Sequence, residues 1–460
     1  MEFVQKISQQ LVDPGDQTGS SKDYVVLGES YPAITGHQDK EVSSGFLNGF
    51  FSRPESQNPQ FLSDVHSRLH FTYRTKFVPI PRVSDGPSPL SFHFLIRENP
   101  LTTIENAIYN PDCFNTDIGW GCMIRTGQSL LGNALQIANL GRDFRVNQGK
   151  DQEEYKIIDW FADTPQAHFS IHNFVSQGLK LSNKKPGEWF GPAATSRSIQ
   201  CLVEQFPDCG IDKCLISVSS GDVFEDEVRE IFAQKPQSRI LLLLGVKLGV
   251  NAVNEYYWDD VKRTLGSKFS VGIAGGRPSS SLYFMGFQGN ELIYFDPHTP
   301  QPSLQTSANF YDTCHALNFG KLLLSDLDPS MLIGILISGE EAWLQWKEEV
   351  KDSKIFNVSQ KSLCELDIEC DEDIESVDSP PPNDRCSPMD GDYVDIKAVV
   401  QHTGAYTGER DEDYQDVHCK KQQIMVMGDR SFSYNSCDFE VEKILVEQET
   451  VGVANPNESL

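Results

Sequence analysis

The chain has 460 residues, with 66 acidic against 39 basic side chains and a formal net charge of −27. That balance excludes nucleic acid or an anionic membrane as the partner of its general surface, because a phosphate backbone recruits clusters of Lys and Arg; proteins are the expected partners. Its 11 cysteines are an odd number scattered along the chain, unlike a disulfide-stapled secreted domain, and no CxxC, HExxH or GxGxxG spacing marks a metal or dinucleotide site, so no cofactor is expected.

Residues 1–62 are rich in Ser, Gly, Asp, Gln and Pro without sustained periodicity and read as a mostly disordered arm. Its one apolar patch is Tyr24-Val25-Val26-Leu27. The first residues lack the basic-then-apolar pattern of a secretory signal, and the most apolar run, Ile240 to Val246, is too short to span a bilayer; a cytoplasmic protein is expected.

Residues 63–355 form the expected globular domain, where strand-like runs such as Ile240–Val246 and Glu291–Phe295 alternate with helical stretches in an α/β (α+β) pattern. Within it, turn residues give way at Cys122 to apolar residues at 123, 127, 130, 131, 134, 135 and 138, a helical spacing that puts Cys122 at a helix N-terminus. The positive end of the helix dipole and its free amides favour an anion, so a thiol there is pushed toward thiolate, and Gly119 and Gly121 leave room for a substrate backbone.

A thiolate needs a base and an orienter for that base. Directly after the second strand-like run comes Asp296-Pro297-His298. In extended chain, residues two apart face one side, so Asp296 and His298 can share a cleft, with Pro297 stiffening the turn. His168, His172 and His315 compete for the base role, but none has an acidic residue two positions away. Read locally, Trp189 is a core anchor and Gly275-Gly276-Arg277-Pro278-Ser279-Ser280 a mobile loop.

After Phe356 the chain carries 24 acidic and eight basic residues, more than half of the excess negative charge, with Ser379-Pro-Pro-Pro-Asn inside it. Residues 356–460 therefore read as an acidic, mostly disordered tail.

Two stretches, Thr116-Asp-Ile-Gly-Trp-Gly-Cys-Met-Ile-Arg-Thr-Gly-Gln and Leu292-Ile-Tyr-Phe-Asp-Pro-His-Thr-Pro-Gln-Pro, resemble the signatures of the autophagins, the cysteine proteases that process the ubiquitin-like autophagy modifier. His70-Phe-Thr-Tyr-Arg, Lys185-Pro-Gly-Glu-Trp-Phe-Gly-Pro, Gly275-Gly-Arg-Pro-Ser-Ser and Leu327-Asp-Pro-Ser extend the resemblance over residues 65 to 350. It implies a papain-like fold with the catalytic order Cys, Asp, His. Carried over, Cys122 is the nucleophile, His298 the general base and acid, Asp296 its orienter, and Tyr73 an oxyanion donor beside the N–H of Cys122. Trp189 matches the tryptophan that lids the cleft, with the loop around Gly275, Gly276, Arg277, Pro278 and Ser279 packing against it. The implied reactions are trimming of the modifier's C-terminal extension to expose glycine and its release from phosphatidylethanolamine, with membrane contact only through the conjugate. The other readings weighed are a thiol protease for a different ubiquitin-like protein and a non-catalytic interaction protein.

A modifier of this kind is docked by short aromatic-x-x-aliphatic motifs beside acidic residues, which add a strand to its sheet edge. Tyr393 with Ile396 and Tyr414 with Val417 fit in the tail, and Tyr24 with Leu27 in the arm.

Overall fold

The computed structural model describes residues 23–34, 58–90, 112–218, 220–276, 280–304, 310–316 and 318–360. In chain order these build β1 (Tyr24–Val26), β2 (Glu29–Tyr31), α1 (Pro59–His66), β3 (Arg74–Pro81), β4 (Cys113–Thr116), α2 (Cys122–Leu140), α3 (Asp151–Asp159), α4 (Ile171–Ser182) and α5 (Pro192–Glu204). There follow β5 (Lys213–Ser217), β6 (Asp222–Phe224), α6 (Glu225–Gln234), β7 (Arg239–Lys247), α7 (Trp258–Gly266), β8 (Ser270–Gly275), β9 (Leu282–Gln288) and β10 (Glu291–Phe295). The last elements are β11 (Gln301–Pro302), β12 (Gly320–Leu323), β13 (Ser330–Ser338), α8 (Glu340–Glu349) and β14 (Asn357–Ser359).

The main sheet has the order β12-β10-β9-β8-β13-β7-β5, with β1 added to β9 and β2 to β1. Two of its interior strands, β7 and β13, pair antiparallel from Ser330↔Lys247 to Ser338↔Arg239. Both are near-continuous aliphatic runs because both of their faces are covered. Leu241 and Leu243 of β7 point into a core shared with α2, α3, α4 and α5, while Ile240, Leu242, Leu244 and Val246 point into a second core with α6, α7 and α8. Helix α2 is buried all along Cys122 to Gln136, as befits a helix enclosed by other elements. It lies against β8, β9 and β13. A Cβ on Gly334 of β13 would stand 2.6 Å from Val271 and 2.9 Å from Leu130, so the missing side chain is what lets α2 approach the sheet. Among the described residues no helix is long and apolar enough to cross a membrane.

The arm is where the structure departs from expectation. Tyr24 and Leu27 are 4% and 0% exposed, so they are not free to dock a partner. The hairpin β1–β2 extends the sheet, with Val25 opposite Phe287 of β9. Reading side chains alone sees the aromatic-x-x-aliphatic spacing but not the open backbone edge of β9 that takes up the strand. The turn needs a left-handed backbone at Leu27 and Gly28 (φ 41 and 89), and a Cβ on Gly28 would come 2.7 Å from Lys268 Cα. Tyr24 stacks on Phe61 of α1, and the Tyr31 hydroxyl donates to Asp64 at 2.9 Å. Arg142 ties the hairpin down by donating to the carbonyls of Val26 and Leu27 and to both Asp64 carboxylate oxygens.

At the other end, regular structure continues past residue 355. Strand β14 pairs parallel with β6, Asn357 N–H donates to Gly221 O at 2.9 Å, and Phe356 packs on Trp346. Tyr393, Ile396, Tyr414 and Val417 lie outside the described residues.

A second sheet of order β11-β3-β4 frames the site. Strand β4 ends at Thr116, just before the turn into Cys122. On the other flank Tyr73 N–H donates to Pro297 O at 2.8 Å and Gln301 N–H to Tyr73 O at 2.9 Å. The approach to β3 thus lies between the segment that carries the thiol and the segment that carries Asp296 and His298.

Candidate active site

Cys122 is the first residue of α2 and fully buried. The turn before it is built on Asp117, whose carbonyl accepts from Trp120 N–H (3.2 Å) and Gly121 N–H (2.8 Å). The Asp117 carboxylate accepts from Arg74 N–H and Arg125 Nε, both at 2.6 Å. Glycine is required at 121 by space, since a Cβ would meet Asp117 Cβ at 2.6 Å. Arg125, one turn into α2 and fully buried, also pairs with Asp163 at 2.9 Å and donates to Gln128 at 3.0 Å. The first turn of the thiol helix is therefore held by a buried Asp117–Arg125–Asp163 ion cluster.

After β10, the Asp296 carboxylate accepts from the His298 backbone N–H at 2.9 Å and meets the ring Nδ1 at 2.5 Å. With Asp296 ionised, Nδ1 carries the proton and Nε2 is the nitrogen left to face the thiol. The ring of Tyr73 stands edge-on to the imidazole, with centroids 5.3 Å apart. Among the described residues, His298 Nε2 and Tyr73 Oη are buried without a hydrogen bond of normal geometry. Such contacts tighten when substrate fills a site.

The electrostatics are those of a thiolate–imidazolium pair. Burial pushes the Cys122 thiol up, but the hydrogen bond and charge of His298, with the Ser281 backbone N–H and the Tyr73 hydroxyl, outweigh it and bring the thiol below its ordinary range. Burial pushes His298 down, yet Asp296 and Cys122 overcome it and raise the imidazole to about 9. The Asp296 carboxyl is raised by burial and lowered more by His298, ending below the usual carboxylate range. Tyr73 is pushed up by burial and by the negative charge of Cys122, so its phenol stays protonated. In contrast, burial raises the thiols of Cys209, Cys214 and Cys314, the last to about 11. The described cysteines 113, 122, 201, 209, 214 and 314 are all free.

The structure thus brings Cys122, Tyr73, Asp296 and His298 together. The competing histidines are engaged elsewhere: His168 stacks on Phe206, His172 Nε2 bonds Val78 O at 2.6 Å, and His315 lies 3.4 Å from Glu154. Trp189 is half-buried against the first of the two cores, with its Nε1 buried and without a hydrogen-bond partner among the described residues. Gly275 ends β8, Gly276 follows at φ 137, and Arg277, Pro278 and Ser279 lie outside the described residues.

Several contributors carry no local signal. Ser281 is fully buried, offers its amide to Cys122, and shares a 2.9 Å hydrogen bond with Thr126. Asp117 looks like a turn residue, although an Arg at 125 inside an otherwise uncharged helix is a sign that a buried acid must wait nearby.

The Peptidase C54 catalytic domain matches residues 58–349. The chain is 55% identical over 485 aligned residues to "Cysteine protease ATG4" of Saccharomyces cerevisiae, covering 99% of this chain and 97% of that one. It is 58% identical over 397 to "Probable cysteine protease ATG4" of Vanderwaltozyma polyspora (83% and 94%), and 48% identical over 471 to the protein of the same name from Eremothecium gossypii (98% and 89%). A depressed thiol at a helix N-terminus, an imidazole raised beside it and matches of this extent agree: the chain belongs to the Peptidase C54 family of cysteine proteases, with the papain-like fold.

Proposed function

We propose that this protease cuts after the C-terminal glycine of a ubiquitin-like autophagy modifier, both to remove its C-terminal extension and to free it from phosphatidylethanolamine. The observation that carries the reading is the seating of Cys122 at the first position of α2 beside the Asp296–His298 pair, where His298 lowers the thiol against the effect of its own burial. Cys122 Sγ attacks the glycine carbonyl carbon, and the oxyanion is received by Tyr73 Oη–H and the Cys122 backbone N–H. The imidazolium of His298, steadied by Asp296, protonates the departing amine, which belongs to the next residue in the precursor or to ethanolamine in the conjugate. Water, giving its proton to His298 Nε2, then hydrolyses the thioester; the carboxylate of glycine leaves and the thiolate–imidazolium pair returns. Trp189 lids the cleft so that only glycine fits next to the cut. The protein works in the cytoplasm.

The test is a panel of tagged substrates: modifier precursor, modifier conjugated to phosphatidylethanolamine in vesicles, and linear ubiquitin fusions. Cleavage of the first two is expected; cleavage of ubiquitin fusions alone would replace this reading with a protease for a different ubiquitin-like protein.

Tyr393 with Ile396 and Tyr414 with Val417 serve as docking anchors for the modifier. Deleting residues 385–425 is expected to slow release from vesicles more than cleavage of soluble precursor. Equal slowing of both would remove the docking role.

A further inference from the structure

Behind the Asp296–His298 turn stands a second imidazole that the proposed chemistry does not use. His70 lies three residues before Tyr73, and its backbone N–H donates to Cys314 O at 2.8 Å. Its ring stacks on Phe295, with centroids 4.7 Å apart and planes at 27°. Its Nε2 is 3.0 Å from the backbone carbonyl oxygen of Asp296. A carbonyl can only accept, so this nitrogen carries the proton and donates.

Asp296 is therefore engaged at both ends. Its carbonyl is taken by His70, and its carboxylate by the N–H and ring of His298. The contact with His70 matters because the Asp296 side chain, though desolvated enough for burial to act on its carboxyl, is 55% exposed, so hydrogen bonds hold it more than packing does. Burial holds His70 down at about 4; the hydrogen bond and charge of Asp296 oppose this, while Arg74 and His315 add to it. The ring is thus a neutral donor across the working range.

We propose that His70 is a positioning residue, whose Nε2–H fixes the Asp296 carbonyl and thereby the aim of the Asp296 carboxylate at His298. The inference rests on the assignment of Asp296 and His298 made above.

Two full-length variants separate this from simple packing. His70→Phe keeps a ring on Phe295 and loses the donor; His70→Gln loses the ring and keeps an N–H at similar reach. The readouts are kcat and KM on the precursor, and the high-pH step in alkylation of Cys122 by iodoacetamide, which reports loss of the His298 proton without any substrate. In His70→Phe that step is expected about one pH unit lower, as the Asp296 hydrogen bond weakens. Its kcat is expected to fall about tenfold at nearly unchanged KM, as for a misaimed catalytic group. His70→Gln is expected to keep both near wild type. A wild-type step in His70→Phe, or equal damage in both variants, would overturn the positioning role. Wild-type alkylation that does not change in His298→Ala would instead overturn the Cys122–His298 pairing itself.

Discussion

Replacing Cys122 with Ala is expected to abolish precursor cleavage, and His298→Ala to lower kcat by about 10³-fold or more, because neither half of a nucleophile–base pair works alone. Asp296→Asn keeps the shape of the turn but removes the charge that sustains the raised imidazole; about a 10²-fold loss is expected. Tyr73→Phe should cost a similar factor through the lost oxyanion donor. The pH profile carries a further sign. The proposed reactive form has Cys122 deprotonated and His298 protonated, so kcat/KM should fall as pH rises through about 9, where the imidazolium loses its proton. In Asp296→Asn that limb should retreat toward the ordinary imidazole range of about 6.5. Initial rates on a tagged precursor from pH 5 to 10 check the series; cleavage by Cys122→Ala at the wild-type rate would sink the assignment.

Arg125→Met is expected to be the most damaging change away from the reacting atoms. Arg125 is fully buried between Asp117 at 2.6 Å and Asp163 at 2.9 Å, and a methionine would leave two carboxylates in the interior without their cation. Breaking a buried ion pair from one side costs about 3–5 kcal/mol, a large share of the roughly 5–15 kcal/mol that holds a domain folded. The melting temperature should drop on the order of 10 °C. Burial already pushes the Asp117 carboxyl up even with Arg125 present, and without it the carboxyl would rise further. A folded-state value above the unfolded one favours the fold at low pH and loses that favour as pH rises, so the deficit should be smaller at pH 5 than at pH 7. Thermal scans at the two pH values decide; an unchanged melting temperature would mean that the cluster is dispensable.

What could be read in advance follows from how far each feature reaches along the chain. The start of α2 at Cys122, the run that becomes β7 and the Asp296-Pro297-His298 turn after β10 are written in periods of a few residues. The pairing of Cys122 with His298 is not, and there the long signature stretches supplied what local spacing could not. The segment Tyr24–Leu27 reads as a free motif because its partner edge, β9, lies far along the sequence. His70 and Ser281 are invisible for the same reason. Their contributions are a ring nitrogen on a distant carbonyl and a backbone amide on a distant thiol. Strand β14 falls in the stretch that reads as tail because a strand of three residues leaves no periodic trace.

The seating of β1 on β9 also bears on how the chain is made. Val25 and Phe287 face each other across about 260 positions of sequence. At a synthesis rate of about 5–20 residues per second, the hairpin leaves the ribosome roughly 15–50 seconds before its partner strand exists. During that interval Tyr24, Val26 and Leu27 lack the strand that seats them, and β9 on its later emergence presents an unpaired edge until they arrive. Closure of the first strand onto the sheet is thus a late, non-local step, and until then β1 and the edge of β9 are open to chaperones and to mispairing.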